Sequence, residues 1–410
     1  MMGSLSKVVI GMLSGIIIAR FVTPYELGAF QTVTLLFSYT AFMHLGVFNG
    51  LNRNFAFFTG KGDPLKAQRM VNASLRMAHI VSIAQVIVGI AYSFWLFVAS
   101  SSNLLFWGSV SLIPILLVSP YSIHYDTLYR TSQSFRMLGI IYFIEAVFTA
   151  LTIALVWYYN FLGLLLRNLM LMFVEFLLKY KFVPVHANGK GSFSDIIELI
   201  QVGSPILISG YIFSILGVAD RTIIAFWKGP QAVGIYALAG IVITGLMVIP
   251  NTIGPILYSK ASASYGQSES PASMRRYIGI SLLMNTFLTI PVVILAYFLI
   301  EPMVALFLPA YIEGVPAAKV SLLTGISLAL SGPAIIFGTM RKNSVYIAML
   351  SMALGTIWLV GSWSLNRFDN IIYVAWTRAT VSFALSAAII FYALHISRLQ
   401  ASISLHEKAS

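Results

Sequence analysis

The stretch IIARFVTPYELGAF at positions 17–30 aligns without a gap to IIAFWKGPQAVGIY at positions 223–236. The copies share the pattern I-I-A-x-[FW]-x-x-P-x-x-[LV]-G-x-[FY] and lie 206 positions apart in a chain of 410 residues. A proline in a turn starts the next helix, and a glycine a few residues later lets neighbouring backbones approach closely. The match therefore predicts two repeated halves that contain the same turn between helices.

The composition around this repeat is that of an integral membrane protein. Hydrophobic residues make up 59% of the chain, charged residues only 9%, and the mean hydropathy is +0.88. This is too little charge to cover a soluble surface. Apolar runs long enough to cross a bilayer predict twelve helical spans. They lie near 2–21, 27–49, 77–99, 103–125, 137–159, 161–178, 202–226, 232–257, 277–300, 317–340, 344–364 and 371–396.

The position of the repeat among the spans predicts the architecture. Six spans separate the two copies, and because six is an even number the halves share one orientation across the membrane. The expected fold is therefore an all-α membrane protein with two six-helix lobes, residues 1–190 and 191–410, related as a parallel repeat.

The segment that leads into span 7 has no counterpart before span 1. Ser192–Gln201 (SFSDIIELIQ) has polar and apolar residues at helical spacing, which fits an interfacial helix or an ordinary cytoplasmic linker equally well. Its equivalent in the first half would lie before residue 1. We therefore expect the true start codon to lie upstream.

The distribution of basic residues predicts the topology. Lys and Arg number 25, against 13 Asp and Glu. On one side of the spans lie Lys7, Arg53, Lys61, Lys66, Arg69, Arg76, Arg130, Arg136, Lys179, Lys181, Lys190, Lys260, Arg275, Arg276, Arg341, Lys342, Arg398 and Lys408, and on the other Arg20, Arg221, Lys228, Lys319 and Arg367. The positive-inside rule places both termini in the cytoplasm. The cations then face anionic lipid headgroups, so no nucleic-acid partner is expected.

Several segments resemble a known family. These are VADRTIIA at 218–225, GPQAVGIY at 229–236, ARFVTPYELG at 19–28, GVFNGLNR at 46–53 and GKGD at 60–63. They resemble the Wzx-type polysaccharide flippases, which move lipid-linked oligosaccharides, of the multidrug/oligosaccharidyl-lipid/polysaccharide (MOP) superfamily. The resemblance covers spans 1–2 and 7–8, and elsewhere it rests on span count and loop lengths. Phe226 stands where the first half has Arg20, so the two lobes are not chemically equivalent.

The resemblance implies a MATE-like two-lobed bundle in the cell membrane that works by alternating access. It implies a cargo such as an O-antigen glycan on a polyprenyl diphosphate, moved from the cytoplasmic to the outer leaflet for cell-surface polysaccharide synthesis. Membrane lipids and a glycan-assembly polymerase or ligase are the expected partners, and the chain is expected to be a monomer without cofactor or metal.

Four arginines are candidates for binding the diphosphate: Arg20, Arg53, Arg167 and Arg378. A cation inside a bilayer costs several kcal/mol unless it is compensated, so an intramembrane arginine indicates function. The guanidinium fork donates two parallel hydrogen bonds to phosphate oxygens. The alternative is that each arginine pairs with a carboxylate or extends to the headgroups. For Arg221 a structural role at the outer end of span 7 is the favoured interpretation.

Two intramembrane acids, Glu145 and Glu175, are candidates for proton coupling, since a buried carboxylate can take up a proton in exchange for substrate. The alternative is a packing role, neutral or salt-bridged, with Arg167 as a partner for either. His44 and His79 are interpreted as hydrogen-bonded packing residues.

Other classes of protein lack support in the sequence. There is no cysteine, no Walker-type phosphate loop and no H-E-x-x-H motif, which argues against thiol chemistry, direct ATP drive and a zinc hydrolase. A glycan polymerase or ligase would need a sizeable outer loop with catalytic residues. A multidrug or metabolite antiporter of the same superfamily remains the main alternative, and the intramembrane arginines favour an anionic cargo over a cationic one.

Overall fold

The computed structural model describes residues 2–99, 102–268, 273–340 and 342–407. Arg341 and Lys408, two of the cations used for the topology, lie outside these residues. Every regular element within them is helical. The α-helices are α1 Met2–Ala19, α2 Pro24–Thr40, α3 Val47–Gly60, α4 Pro64–Ala99, α5 Asn103–Thr131, α6 Phe135–Leu151, α7 Ile153–Lys181, α8 Phe193–Ser268, α9 Met274–Phe307, α10 Val315–Leu330, α11 Ile335–Thr339, α12 Asn343–Phe368 and α13 Ile372–Glu407.

Helix α7 contains the turn between the predicted spans 5 and 6. Asn160 has φ 48° and ψ −119°, which breaks the helix between those spans. A side chain at Gly163 would meet the backbone of Leu155 and Val156. Residues eight positions apart lie about 12 Å apart along a straight helix, so the chain reverses direction at Asn160. Spans 5 and 6 are therefore a helical hairpin.

Helix α8 contains the turn between spans 7 and 8 in the same way. Gly229 has φ 74° and ψ −171°, and Pro230 follows it directly. The hydroxyl of Tyr236 donates a hydrogen bond of 2.9 Å to Asp220 Oδ2, sixteen positions earlier in the chain. A continuous helix would separate these residues by about 24 Å. The second copy of the repeat thus forms a hairpin turn.

The first copy of the repeat forms the matching turn between α1 and α2. Pro24 is the first residue of α2. Thr23 caps the helix by accepting a hydrogen bond from the backbone N–H of Glu26, whose carboxylate accepts one in return from the Thr23 N–H. Such a reciprocal capping box satisfies two donors that the helix leaves free. The prediction that a proline starts the helix after each turn is confirmed.

Two predicted spans are interrupted within the bilayer. Span 2 changes direction between α2 and α3, where a short 3₁₀ turn, Ala41–His44, is followed by Leu45 and Gly46 in left-handed conformations. Span 10 is divided between α10 and α11 by a 3₁₀ turn, Gly332–Ala334. With the reversals at Asn160 and Gly229, these helices account for twelve spans. The predicted twelve-helix membrane fold is confirmed.

The chain divides into two compact units, an N-terminal unit Met1–Ile215 and a C-terminal unit Leu216–Ser410. In the N-terminal unit, Ile196 and Leu199 at the start of α8 pack with Val47 and Leu51 of α3 in one hydrophobic cluster. The segment before span 7 is therefore helical and anchored to the N-terminal unit. In the C-terminal unit, a second cluster gathers around Phe337 of α11. The lobe boundary at residue 190 stays a prediction.

Replacing Gly229 by alanine is expected to destabilise the C-terminal hairpin. The φ and ψ of Gly229 fall in a region that only glycine occupies readily, and strain of this kind costs about 1–3 kcal/mol. The measurement is the thermal denaturation midpoint of the purified chain in detergent. Gly217→Ala is the matched control, because a Cβ there meets open space within a helix. Equal midpoints for the two variants would contradict this assignment of the turn.

Candidate functional site

In the N-terminal unit, Arg167 of span 6 reaches across to span 1. Its Nη2 donates a hydrogen bond of 2.8 Å to the hydroxyl of Ser14 on α1. Ser14 is 1% exposed, and Arg167 is half-buried. Among the described residues Arg167 forms no ion pair, and its Nε is buried without a hydrogen-bond partner. The guanidinium therefore has a neutral partner, and its positive charge is uncompensated within that part of the chain.

In the C-terminal unit, Arg378 of span 12 reaches across to span 7. Its Nη1 lies 2.7 Å from Asp220 Oδ1 on α8 and donates a second hydrogen bond of 3.2 Å to the carbonyl of Gly217. Asp220 is 2% exposed and Arg378 5%. Tyr236 of span 8 donates to the other carboxylate oxygen. Here the arginine charge is neutralised by a buried carboxylate.

The partners of the two arginines occupy equivalent places in the repeat. Ser14 and Asp220 are 206 positions apart, the offset that relates the two copies, and so are Phe30 and Tyr236. In each half an arginine on the sixth span bonds to this position on the first span. The C-terminal unit places a carboxylate there and a tyrosine hydroxyl beside it. The N-terminal unit has a serine and a phenylalanine, neither of which can neutralise a cation.

The other predicted arginines lie apart from this contact. Arg20 is exposed just beyond the end of α1, six positions after Ser14 and thus about 9 Å further along the helix axis. Arg53 is exposed on α3. Among the described residues, neither forms an ion pair. The structure thus places Arg167 in a defined contact with α1, and the binding roles of all four arginines stay predictions.

Glu145 and Glu175 belong to a network of ion pairs in the N-terminal unit. Lys7 Nζ lies 2.5 Å from Glu145 Oε2 and 3.3 Å from Glu175 Oε2. Lys179 Nζ lies 2.5 Å from Glu175 Oε1 and 3.2 Å from Asp126 Oδ1. The suggested pairing of either glutamate with Arg167 is wrong, because long lysine side chains from α1 and the end of α7 reach them instead.

The network extends one step further and is balanced in charge. Arg130 Nε lies 2.8 Å from Asp126 Oδ2, and Tyr142 donates a hydrogen bond of 2.6 Å to the same carboxylate. The network has three acidic and three basic members on α1, α5, α6 and α7. Glu145 and Lys179 are the most buried members, and the removal of a partner would leave such a buried charge uncompensated. The network ties four helices of the N-terminal unit together.

Within this network Glu145 is the less compensated carboxylate. It is 3% exposed, and Lys7 is its single charged contact among the described residues. Neither of its oxygens has a hydrogen-bond partner of good geometry in that part of the structure. Glu175, in contrast, has two lysines and accepts a hydrogen bond from the Ser122 hydroxyl. Glu145 is therefore the carboxylate more suited to proton uptake.

The two predicted packing histidines have local partners. Nδ1 of His44 accepts a hydrogen bond of 3.1 Å from the N–H of Gly46, where span 2 is interrupted. Nδ1 of His79 lies 2.7 Å from the carbonyl of Leu75, one helical turn earlier. His124, for which the sequence predicts no role, is buried, and its Nδ1 lies 2.9 Å from the hydroxyl oxygen of Ser74. All three thus have hydrogen-bonding neighbours inside the N-terminal unit.

Three members of these contacts, Ser14, Lys7 and Lys179, are not indicated as site residues by the sequence. Ser14 carries no signal of its own, but the repeat register identifies it as the counterpart of Asp220. The positive-inside rule places Lys7 and Lys179 at the cytoplasmic surface and so gives no sign of their ionic partners. Lys179 lies four positions after Glu175, the spacing of neighbours on one helix face, which is a signal for their pairing.

The fold is shared with solved membrane transporters. A multidrug resistance MATE family transporter of the MOP superfamily in an inward-facing conformation superposes with a TM-score of 0.77, at 13% identity over 96% of both chains. The lipid II flippase MurJ superposes with a TM-score of 0.67, at 13% identity over 96% of this chain and 86% of that one. A MOP superfamily transporter from Pyrococcus furiosus gives 0.66, at 13% identity over 97% and 93%. The chain is a multi-pass membrane protein with the fold of a MOP superfamily transporter.

Sequence comparison then identifies the family. The profile of the polysaccharide biosynthesis protein family matches residues 17–311. The chain belongs to this family, in agreement with the resemblance found in its own sequence. Comparison with curated protein sequences gives no match.

The two arginine contacts are expected to respond differently to mutation. Asp220→Asn and Arg378→Gln should each destabilise the chain by about 3–5 kcal/mol, because each leaves a buried charge without its partner. The double variant Asp220→Asn, Arg378→Gln should lose much less stability than the two single variants lose together. Arg167→Gln should cost about 0.5–1.5 kcal/mol, since it removes one hydrogen bond to a neutral hydroxyl. Denaturation midpoints in detergent provide the comparison. A larger loss for Arg167→Gln than for Arg378→Gln would show that Arg167 has a compensating partner.

Proposed function

We propose that this chain is a flippase that moves a polyprenyl-diphosphate-linked oligosaccharide from the cytoplasmic to the outer leaflet, for cell-surface polysaccharide synthesis. Its family membership and its fold, which it shares with transporters and a lipid flippase, support a transport function. In this proposal the protein is not an enzyme. It resides in the cell membrane with both termini in the cytoplasm, acts as a monomer, and exchanges substrate with a glycan polymerase or ligase.

The uncompensated charge of Arg167 is the observation that carries the proposal. A guanidinium inside the bilayer whose one hydrogen-bond partner among the described residues is a serine leaves its charge free for an anion. A diphosphate supplies several charged oxygens and can accept two parallel hydrogen bonds from the fork. The diphosphate would supply to Arg167 the negative charge that Asp220 supplies to Arg378. In this proposal Arg167 is the principal diphosphate ligand, with Arg20 and Arg53 in supporting roles, and Arg378 serves chiefly to link spans 7 and 12.

Transport in this proposal follows alternating access. The cytoplasm-open state binds the lipid diphosphate through arginine, with the polyprenyl tail in a lateral opening between helices. Rocking of the lobe 1–190 against the lobe 191–410 then exposes the glycan to the outside. Because Glu145 is buried with one charged contact, it is the preferred site for a proton that drives the cycle, and Glu175 serves to hold Lys7 and Lys179.

A cation-coupled antiporter for drugs or metabolites is the second candidate. The same fold occurs in a multidrug resistance transporter, and the buried Glu145 would suit a cationic substrate. The charge of Arg167 argues against it, since a cation would be repelled there. The two candidates differ in what they require of Arg167: the flippase needs its charge, whereas the antiporter would work better without it.

Ser14→Asp is expected to inactivate the flippase without removing any arginine. An aspartate at position 14 would reproduce the pair that Asp220 forms with Arg378 and so compensate Arg167. Because hydrogen bonds to charged groups contribute about 1.5–3 kcal/mol, translocation should fall by about 10- to 100-fold. The measurement follows a lipid-diphosphate oligosaccharide in proteoliposomes and scores the fraction of headgroups that reach the opposite leaflet.

Ser14→Asn is the matched control, since asparagine has nearly the shape of aspartate without its charge. It should retain most of the activity. Equal loss in both variants would point to bulk rather than charge at position 14. Full activity of Ser14→Asp, in a folded protein that translocates the lipid, would contradict the role given to Arg167. A folded wild-type chain that moves none of several glycolipids would favour the antiporter.

Glu145→Gln is expected to abolish the response of translocation to a pH gradient. Glutamine cannot take up a proton, and Lys7 keeps Glu175 as its ionic partner in this variant. The measurement compares translocation rates in proteoliposomes with and without an imposed gradient. Glu198→Gln serves as control, because Glu198 pairs with Lys66 outside the network. A gradient response that survives Glu145→Gln would exclude Glu145 as the coupling group.

A further inference from the structure

The C-terminal unit contains an apolar crevice whose lining includes none of the four candidate arginines. Its volume is about 450 Å³, and its walls come from α9, α10 and the start of α13. Val293 and Phe298 of α9, Val320 and Leu323 of α10 and Trp376 of α13 are among the lining residues. This volume lies within the usual range of sites for small ligands, about 300–1,000 Å³. The crevice is large enough for part of a small amphipathic molecule.

The crevice opens on the surface of the unit that faces lipid. Helix α9 is the least buried of the eight long apolar helices found among the described residues. Its large side chains Leu283, Phe287 and Phe298 are each 70% or more exposed. Such exposed apolar surface in a membrane protein contacts acyl chains rather than water. The molecule that fills a crevice in this surface is therefore drawn from the membrane.

The polar groups of the crevice are gathered at one end. Lys319 lies in the first turns of α10, with Nζ 5.1 Å from the ring centre of Tyr297 and 2.5 Å from Glu301 Oε2. The lysine side chain is 25% exposed and that of Glu301 61%, so the ammonium group belongs to the crevice wall while the carboxylate faces outward. The charge distribution of the chain predicts that this end faces the outer side.

This arrangement matches the two parts of a phospholipid. Lys, Trp and Tyr concentrate where hydrocarbon meets the headgroups. A lysine ammonium has three donors, of which Glu301 takes one, so a phosphate oxygen can accept another. Below it, the wall of valine, leucine and aromatic side chains accommodates a hydrocarbon chain. We propose that the crevice between α9, α10 and α13 is a binding site for one phospholipid of the outer leaflet, with an acyl chain in the crevice and its phosphate at Lys319.

Photolabelling tests this site directly. The full chain is placed in nanodiscs of phosphatidylglycerol that contain a small share of lipid with a photoreactive group on its acyl chain, and the adducts are mapped by mass spectrometry. Adducts should concentrate on residues 293–298 and 316–323. Helix α12 is the internal reference, because Met352 and Leu359 are as exposed as the α9 side chains but do not line this crevice. Equal labelling of α9 and α12 would overturn the proposal.

Two variants fill the crevice, and one variant with a matched control tests the phosphate contact. Leu323→Trp should reduce the adducts several-fold, and Ile294→Trp, at a half-exposed position that tolerates bulk, decides the matter if the first variant fails to fold. Lys319→Gln should reduce labelling by phosphatidylglycerol more than labelling by diacylglycerol with the same photoreactive chain, because only the first has a phosphate. Lys228→Gln is the matched control: Lys228 also pairs with a carboxylate, Asp369, but lies outside the crevice.

Two further outcomes would overturn the proposed phospholipid site. Labelling that persists in both crevice-filling variants would overturn the site. Labelling by a photoreactive polyprenyl diphosphate that displaces phosphatidylglycerol would assign the crevice to the tail of the cargo and overturn the phospholipid proposal. This experiment needs no translocation, so its result does not depend on the proposed flippase activity.

Discussion

A charged side chain persists in hydrocarbon only beside a group that compensates it, and this constraint explains the placement of the charges in the molecule. The chain has few charged residues, and two groups of them inside the helical units are paired. Asp220 and Arg378 neutralise each other in the C-terminal unit, and six charged groups balance in the N-terminal unit. Arg167 differs from these paired groups, because its hydrogen-bond partner among the described residues is the neutral hydroxyl of Ser14.

The repeat relates the partner of Arg167 to the partner of Arg378. In each half an arginine on the sixth span bonds to the first span, and the positions that it contacts, Ser14 and Asp220, are related by the repeat offset. In the C-terminal unit this link is a salt bridge between Arg378 and Asp220, with Tyr236 beside it. In the N-terminal unit Ser14 and Phe30 stand at the equivalent positions, and Arg167 has no counter-charge among the described residues. The different residues at two equivalent positions thus give one unit an ionic link and the other a hydrogen bond to a neutral hydroxyl, and our proposal assigns the second arginine to an anionic substrate.

Much of the fold could be predicted from the sequence, because the hydrophobic effect and backbone satisfaction in a membrane leave few alternatives. The expected gaps between spans 5 and 6 and between spans 7 and 8 fall at Asn160 and Gly229, where the structure reverses. The helices themselves extend further than the apolar runs. Helix α4 begins at Pro64 rather than near position 77, since charged residues end a hydrophobic run but do not end a helix.

The interrupted spans and the ionic partners could not be predicted in the same way. Span 2 is apolar on both sides of Leu45 and Gly46, so hydropathy gives no sign of its change in direction. The partners of Glu145 and Glu175 come from the ends of other helices, and a long lysine side chain reaches them from a position that charge counting assigns to the surface. Pairing across helices depends on packing, which one sequence without its structure does not specify.

The most direct test of the role of Arg167 is equilibrium binding of a short-chain isoprenyl diphosphate to the purified chain in detergent. The wild type should bind, with affinity that falls as salt is raised, and Arg167→Gln should bind at least about tenfold more weakly, as expected for the loss of a charge-assisted contact. The double variant Asp220→Asn, Arg378→Gln should bind like the wild type. Undiminished binding by folded Arg167→Gln, or its loss only in the double variant, would contradict the assignment of the free cation to the N-terminal unit.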